Sequence, residues 1–321
     1  MPTEASGQMI SQNSTIGFIG LGAMGERMAR RLLSSGFKLF AYDHTIRKTA
    51  ELASHGAIVA PNLRQLARKS DVIISCLPSD QAVLSVYQGP EAVLACAKPG
   101  SVVIEMSTVS PDTSRVLHRL GRERAIEVLD VPISGSTPGA EQGSLILFGG
   151  GDANVFDACQ PIFSAVAKQY FHLGPSGSGT TMKLVVNTLL GLNMQAIAEA
   201  VAFGEKAGLN RGLLLEVLAK TAVVSSAHQN KLIRAEHDDY SPQFPLKLMN
   251  KDFGLILEKA AELGVPMPAT AAAHQINAAR AAGNGDEDFS SVISEMERLA
   301  RVHGNSDPAT LHSRLKIQAA R

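Results

Sequence analysis

The sequence has few of the residues that mark several classes of protein. Its 321 residues include no Trp, 4 Tyr and 3 Cys, and aromatic residues make up 5% of the chain. Cys76, Cys96 and Cys159 are widely spaced and odd in number, which argues against a disulfide framework and a zinc site, so no metal is predicted. Because 30 basic residues balance 30 acidic ones, net charge gives no reason to expect a nucleic-acid partner.

Long apolar runs are also missing. No uninterrupted stretch of about 18 apolar residues occurs, so we expect neither a membrane span nor a membrane partner. Residues 1–14 contain no Lys, no Arg and no apolar block, and they predict a disordered leader rather than a secretion signal. With 45% hydrophobic residues the chain can bury a core, and its length predicts a two-domain cytoplasmic protein.

Short apolar runs alternate with helix-like segments in the first half of the chain. This alternation predicts an α/β fold with a doubly wound parallel sheet, assigned to a first domain over residues 15–174. The predicted strands are Thr15–Gly20, Phe37–Asp43, Asp71–Cys76, Ser101–Glu105, Ile126–Asp130, Ser144–Phe148 and Lys168–Leu173.

The composition of the chain changes after Gly174, where strand-like runs end and Ala, Leu, Glu and Lys dominate. A helix over Thr180–Lys206 would be about 40 Å long. It opens a predicted all-α domain over residues 175–303 for substrate binding and oligomerisation, followed by a loose tail over residues 304–321. The further predicted helices are Arg211–Lys220, Leu246–Leu263, Pro268–Ala281 and Phe289–Val302.

A glycine-rich loop lies between the first predicted strand and the first predicted helix. Its residues match G-x-G-x-x-G, and an acid ends the next strand, as the dinucleotide-binding fingerprint of a Rossmann domain requires. The pyrophosphate of NAD or NADP would then lie at the helix N-terminus. The alternative is a strand-to-helix turn without a ligand. The predicted cofactor-binding residues are Gly20, Leu21, Gly22, Ala23, Met24, Gly25 and the acid, Asp43.

Asp43 bears on the choice between the two cofactors. A carboxylate here can accept hydrogen bonds from the ribose hydroxyls of NAD and would repel the 2′-phosphate of NADP. The sequence therefore favours NAD. His44, Arg47 and Lys48 keep NADP possible, and Asp43 could instead be a helix-capping or turn acid.

A segment rich in Gly, Ser and Pro, Asp130–Gly143, follows a predicted strand. Ligands of open α/β sheets bind at the carboxyl ends of the strands. The Ser134 hydroxyl and the N–H groups of Gly135 and Ser136 could bind a carboxylate there. A purely structural turn is the alternative.

Lys183 and Asn187 share one face of the long predicted helix because they are four residues apart. Gly191, one turn further on, would leave room beside them, and Gly177 and Gly179 are expected to face a ligand. Lys183 is a candidate acid/base, since burial near a cofactor can lower the pKa of an ammonium group. The alternative is a surface lysine.

These motifs together resemble the β-hydroxyacid dehydrogenase family, which includes 3-hydroxyisobutyrate dehydrogenase, tartronate semialdehyde reductase and glyoxylate/succinic semialdehyde reductases. They occur in the family's order, and the resemblance extends from Thr15 to Val302. The motifs are Gly20–Gly25, Ser107-Thr108, Asp130–Gly143, Gly177-x-Gly179-x-x-x-Lys183 with Asn187, and Lys251-Asp252.

The resemblance implies hydride transfer between a nicotinamide cofactor and a small β-hydroxy acid or semialdehyde, in a homodimer or homotetramer. Lys183 would be the general acid/base. Further cofactor contacts would come from Leu77, Pro78, Thr108 and Lys251. Substrate contacts would come from Ser134, Gly135, Ser136, Asn187 and Lys251.

Some residues depart from the commonest family pattern. Ser134-Gly135-Ser136 replaces Ser-Gly-Gly, and Val186-Asn187 replaces Asn-Asn. Both are similar to the glyoxylate/succinic semialdehyde reductase branch, which generally uses NADPH, so an NADPH-dependent reductase of this kind is the alternative function. A non-catalytic dehydrogenase-like binding module is a second alternative. Such modules, like the related imine reductases, typically lack the lysine that this chain has at position 183.

Overall fold

The computed structural model of the chain describes residues 10–302, which fall into two compact units. The first unit ends at Val185 and the second begins at Val186, so the division lies inside one long helix. The predicted boundary near Gly174 precedes this division and stays a prediction.

The first unit is built on six parallel strands. Their order is β3-β2-β1-β4-β5-β6, so the chain reverses its direction of winding between β1 and β4. This doubly wound order confirms the predicted fold class. The strands are β1 (Thr15–Ile19), β2 (Lys38–Tyr42), β3 (Ile58–Val59), β4 (Val72–Ser75), β5 (Val102–Glu105) and β6 (Glu127–Asp130).

Successive residues of the central strands enter two separate hydrophobic clusters, one on each face of the sheet. In β1, Ile16 and Phe18 belong to one cluster and Ile19 to the other. In β4, Ile74 and Ile73 divide in the same way. Because side chains alternate along a strand, burial of both faces requires apolar residues at nearly every position, which explains the continuous apolar runs in the sequence.

The last two predicted strands do not join this sheet. They form a second sheet, in which the short strand β7 (Ile133–Ser134) pairs antiparallel with β8 (Leu145–Gly149), and β8 pairs parallel with β9 (Ala167–His172). The expectation of one sheet is therefore corrected. After β6 the chain turns at Pro132, whose carbonyl accepts the Phe148 N–H at 3.1 Å, and this contact leads β7 alongside β8.

Helices of the first unit begin at the polar residues that favour helix starts. Asn62, Ser79 and Asp152 each accept a backbone N–H from the first turn of the helix that follows. The helices are α1 (Ala23–Ser34), α2 (Ile46–Ala53), α3 (Leu63–Lys69), α4 (Asp80–Tyr87), α5 (Val93–Cys96), α6 (Pro111–Arg122), α7 (Thr137–Gln142), α8 (Ala153–Ala158) and α9 (Gln160–Val166).

The second unit is helical, as predicted. The long helix α10 (Ser178–Lys206) leads into it. It continues with α11 (Arg211–Lys220), α12 (Ser226–Glu236), α13 (Leu246–Glu262), α14 (Pro268–Asn284), a 3₁₀ turn (Phe289–Ser291) and α15 (Val292–Ala300). Helix α12 was not predicted.

The predicted leader and the predicted tail concern the two ends of the chain. The predicted tail lies outside the described residues, as does the predicted leader up to residue 9, whereas Ile10 is buried in a cluster of the first unit.

Contrary to the expectation from uninterrupted runs, α10 is long and apolar enough to cross a bilayer, because its few polar residues are scattered and its mean hydropathy stays high. This is weak evidence for a span, since buried core helices pass the same test.

Candidate dinucleotide and substrate site

The glycine-rich loop has the backbone geometry that dinucleotide binding requires. Gly20 has a φ of +91°, and a Cβ there would lie 2.4 Å from the Cys76 carbonyl oxygen. A Cβ on Gly25 would lie 2.0 Å from the Gly20 carbonyl oxygen, so only glycine allows α1 to start this close to β1. A Cβ on Gly22 would meet no atom within 4 Å among the described residues. The loop is therefore closely packed on one side and open at Gly22, where pyrophosphate would fit.

Asp43, which follows β2, is tied to this loop. Its Oδ2 accepts the Leu21 N–H at 2.7 Å and its Oδ1 accepts the Thr45 N–H at 2.8 Å. Burial tends to raise the pKa of Asp43, but these hydrogen bonds and the nearby Lys48 outweigh it, and the net shift is downward. Asp43 is thus a carboxylate at neutral pH and, as the turn-acid alternative has it, an acceptor for its own turn. Its contact with ribose stays a prediction.

The loops after β4 and β5 are joined by a hydrogen bond. The Ser107 hydroxyl accepts the Leu77 N–H at 2.7 Å, so the Leu77–Pro78 and Ser107–Thr108 segments are fixed to each other. Beneath them lies Glu105, whose Oε1 accepts the N–H of Ser107 at 3.0 Å and also its hydroxyl. The structure therefore brings the predicted residues Leu77, Pro78 and Thr108 to the same strand-end edge as the glycine-rich loop.

The predicted carboxylate-binding turn follows β7. Gly135 has a φ of +143°, a conformation that side chains rarely allow, and a Cβ there would lie 2.7 Å from Cδ2 of Leu145. Ser134 is half-buried, and Ser136 is exposed immediately before α7. Gly135 thus allows a turn between Ser134 and Ser136 that a residue with a side chain would disfavour, and the binding of a carboxylate there stays a prediction.

Asp130 anchors the start of α10. Its carboxylate accepts the N–H groups of Gly177 at 2.8 Å and Thr180 at 2.9 Å. Gly177 has a φ of +92°, and a Cβ on Gly179 would lie 2.4 Å from the Asp130 carbonyl oxygen. A Cβ on Gly177 would lie 3.1 Å from Nε of Arg115, so both glycines face protein, and the expectation that they face a ligand is corrected. Lys183 lies one turn beyond this anchor.

Lys183 is half-buried on α10, within the first unit. Burial and the Glu105 charge raise the pKa of the Cys76 thiol to about 12, and the nearby Lys183 ammonium opposes this shift. The lysine is therefore near the loop that follows β4. This environment differs from that of the exposed surface lysine considered as the alternative.

In the second unit, Asn187 and Lys251 are linked through Asp252. Nδ2 of Asn187 donates to Oδ2 of Asp252 at 2.5 Å, and Nζ of Lys251 lies 2.9 Å from Oδ1 of Asp252. Asn187 and Asp252 are buried, and Oδ1 of Asn187 has no hydrogen-bond partner among residues 10–302. A buried amide oxygen without a partner is costly, and the substrate contact of Asn187 stays a prediction.

The predicted space beside Gly191 is filled by protein. A Cβ on Gly191 would lie 2.3 Å from Cζ of Phe253 and 3.0 Å from Cε of Met249. The expectation that Gly191 leaves room next to Lys183 and Asn187 is wrong. The missing side chain instead lets α13 pack closely against α10.

Comparison with known proteins agrees with these features. The family model for the NAD binding domain of 6-phosphogluconate dehydrogenase matches residues 15–174, and the one for NAD-binding of NADP-dependent 3-hydroxyisobutyrate dehydrogenase matches residues 177–296. The chain is 39% identical to 2-(hydroxymethyl)glutarate dehydrogenase of Eubacterium barkeri, over 89% of this chain and 96% of that protein. The chain belongs to the β-hydroxyacid dehydrogenase family.

Two further relatives support the same family assignment. Glyoxylate/succinic semialdehyde reductase 1 of Arabidopsis thaliana is 37% identical, over 87% of this chain and 96% of that protein. A solved structure of Mycobacterium tuberculosis 3-hydroxyisobutyrate dehydrogenase with L-serine has a TM-score of 0.80 at 31% identity, over 88% of this chain and 98% of that one.

Membership confirms the predicted class of enzyme. The chain is an NAD(P)-dependent oxidoreductase acting on CH–OH groups, as the family resemblance of its motifs implies. The interpretation as a non-catalytic binding module is set aside. The roles of individual site residues stay predictions.

Sequence reasoning missed two groups beneath the site, Glu105 and the carboxylate of Asp130. Both are buried acids that end a strand directly after apolar residues, and they are paired in register across β5 and β6. A charged residue that closes a buried strand is the signal that could have drawn attention to them.

Proposed function

We propose that this enzyme transfers a hydride between a nicotinamide cofactor and a small β-hydroxy acid or the corresponding semialdehyde. The observation that carries the proposal is the placement of Lys183. The helix that bears it is fixed by Asp130 at its first turn, and the lysine is half-buried near the loop after β4. General acid/base help from a group positioned in this way contributes about 10²–10⁴-fold to a rate.

The proposed roles follow from the chemistry of each group. Bound NAD(P) would supply or accept the hydride. The Ser134 hydroxyl and the N–H groups of Gly135 and Ser136 bind the substrate carboxylate. Lys183 takes the hydroxyl proton during oxidation and returns it during reduction. Asn187 orients the substrate, and Lys251, held by Asp252, contributes positive charge toward anionic ligands.

The side chains at two positions favour a second candidate, an NADPH-dependent glyoxylate/succinic semialdehyde reductase. Ser136 supplies a hydroxyl where many family members have Gly, and Val186 removes an amide next to Asn187. The Arabidopsis thaliana relative carries that name at 37% identity. For the cofactor we propose NAD on the charge of Asp43, with NADP as the alternative. We also propose a cytoplasmic homodimer or homotetramer without a nucleic-acid or membrane partner.

Substitution of Lys183 tests the proposal. Lys183→Met should fold and bind cofactor but lose about 10²–10⁴-fold in kcat, because the proton then has no positioned acceptor. Lys206→Met, at the other end of α10, is the matched control and should keep wild-type turnover, since Lys206 is exposed and, within residues 10–302, donates to the Ala300 carbonyl at 2.9 Å. A Lys183→Met enzyme with near-wild-type kcat would refute the role.

A further inference from the structure

Glu105 is a buried acid that the proposed reaction does not use. It ends β5, and 1% of its surface is exposed. Its Oε1 accepts the Ser75 hydroxyl at 3.2 Å, the Ser107 N–H at 3.0 Å and the Ser107 hydroxyl. Its Oε2 is buried and has no hydrogen-bond partner within residues 10–302. Burial of a carboxyl group with one oxygen unpartnered costs free energy, so Glu105 at this position lowers the stability of the fold.

The hydrogen bonds at Glu105 lead to both cofactor loops. Ser107 donates to Glu105 and accepts the Leu77 N–H, and Thr108 follows Ser107 directly. From the other side, the Tyr87 hydroxyl donates to the Ser75 hydroxyl at 2.7 Å, and Ser75 donates to Glu105. Oε1 of Glu105 thus connects the last residue of β4, the segment after β5 and, through Tyr87, the end of α4.

We propose that Glu105 is a positioning residue for the nicotinamide cofactor. It fixes the rotamer of Ser107, and through Ser107 it holds the Leu77–Pro78 and Ser107–Thr108 segments in the conformation that binds the dinucleotide. The proposal rests on the cofactor roles proposed above for Leu77, Pro78 and Thr108. Glu105 itself acts from beneath the loops.

The surroundings of Glu105 also make this arrangement sensitive to pH. Burial raises its pKa to about 7, the hydrogen bonds from Ser107 and Ser75 oppose the shift, and the Asp130 carboxylate on the next strand adds to it. Cys76 and Tyr87 also face it, and their pKa values are raised well above neutrality, so both stay uncharged. Glu105 therefore gains a buried negative charge near pH 7, next to Asp130 and beneath an anionic ligand.

Cofactor affinity tests the proposal directly. Isothermal titration calorimetry with NADH and with NADPH suits this chain, which has no Trp for fluorescence. Glu105→Ala removes the shared acceptor and should raise the cofactor Kd about tenfold at pH 6, because Ser107 loses its fixed position. Glu105→Gln keeps an acceptor oxygen and should stay within about twofold of the wild type at that pH.

The pH profile separates positioning from a merely structural role. The wild-type Kd should rise several-fold between pH 6 and pH 8, since ionised Glu105 opposes an anionic cofactor. In Glu105→Gln this rise should disappear. The proposal is overturned if Glu105→Ala, once folded, binds cofactor within twofold of wild type, or if Glu105→Gln keeps the full pH dependence of Kd.

Two further variants keep the test decisive if Glu105→Ala does not fold. Ser107→Ala cuts the link but leaves the acid in place, and it should raise Kd by a similar factor. Asp71→Asn is the matched control at the opposite edge of the same sheet, where the carboxylate accepts the Thr15 N–H at 2.9 Å. It should leave Kd unchanged. An equal rise in Asp71→Asn, or no rise in Ser107→Ala, would overturn the positioning role.

Thr108→Val distinguishes failure of this proposal from failure of the proposed cofactor site. If Thr108→Val raises Kd while the Glu105 and Ser107 variants do not, Thr108 contacts cofactor without help from Glu105. If none of these variants changes Kd, the cofactor roles assigned to these loops fall as well.

Discussion

At the scale of single residues, Asp43 combines two tasks. Its two oxygens accept the N–H groups of Leu21 and Thr45, so the side chain shapes the glycine-rich loop and its own turn. It also brings a negative charge to the end of β2, where the ribose of a dinucleotide would lie. Substitution of Asp43 should therefore affect both the affinity for cofactor and the choice of cofactor.

Exchange of the charge at this position should change cofactor preference. In Asp43→Ser combined with His44→Arg, the ratio of kcat/KM for NADP to that for NAD should rise about tenfold or more, because a repulsive carboxylate is replaced and a guanidinium can bind the 2′-phosphate. KM for both cofactors should also rise, since the Leu21 N–H loses its acceptor. Steady-state kinetics with each cofactor measures both effects.

His44→Arg alone is the control for this pair. Asp43 stays in place and still opposes a 2′-phosphate, so the shift in the ratio should be smaller than in the double variant. The assignment of Asp43 to cofactor choice is rejected if the double variant leaves the NADP-to-NAD ratio of kcat/KM unchanged.

The sequence predicted the motif residues individually, but it did not predict the buried side chains, such as Glu105, that fix them by hydrogen bonds. The glycine-rich loop and Asp43 stand next to each other in the fold because each follows a parallel strand, and strand order follows from a known pattern. The contact of Ser107 with Glu105 depends on which way two side chains point at the end of β5. Spacing in the sequence does not report that direction.

At the scale of elements, α12 shows why a periodic pattern can hide a helix. Its buried face includes His228, Lys231, Leu232 and Ala235, which have the right spacing but include two polar residues. His228 bonds the Leu190 carbonyl at 2.9 Å, and Lys231 pairs with Asp288 at 2.7 Å. These partners come from distant segments, so the sequence does not show that His228 and Lys231 are buried. The two polar residues therefore hid the apolar periodicity that would have predicted a helix.

The packing of α13 on α10 gives a second prediction. Gly191→Ala should lower the free energy of unfolding by about 1–3 kcal/mol, because the new Cβ would overlap the buried ring of Phe253. Gly254→Ala, on α13 itself, is the matched control, since its Cβ meets no described atom within 4 Å. It should raise the free energy of unfolding by about 0.5–1 kcal/mol. Denaturant titration of both variants measures the difference.

Equal stability of the two alanine variants would contradict the close packing at Gly191. The sequence identified this glycine but assigned it to substrate space. The position of a glycine on a helix shows that a side chain is missing. Whether a ligand or a neighbouring helix fills the space depends on tertiary packing, which spacing alone does not determine.

At the scale of the whole molecule, the zero net charge conceals strongly paired charges. Asp288 is fully buried and accepts hydrogen bonds from Lys231, three backbone N–H groups and the Ser290 hydroxyl. Arg211 pairs with buried Glu297 at 2.6 Å. Composition predicted two domains and a buried core, but it could not say which of the 60 charged residues are internal supports of the helical unit.

Selectivity for an aldehyde or alcohol that carries a carboxylate tests the proposed function most directly. Steady-state kinetics with NADH and NADPH should compare succinic semialdehyde with butanal, which has the same number of carbons and lacks the acid group. Glyoxylate and tartronate semialdehyde complete the panel of reductions, whereas 3-hydroxyisobutyrate and threonate are alcohols and are assayed as oxidations with NAD⁺ and NADP⁺. Each charge-assisted hydrogen bond to the carboxylate contributes about 1.5–3 kcal/mol, so kcat/KM for at least one acid should exceed that for butanal by about 10²-fold or more. Turnover of butanal as efficient as that of every acid, or no turnover of any acid with either cofactor, would contradict the account.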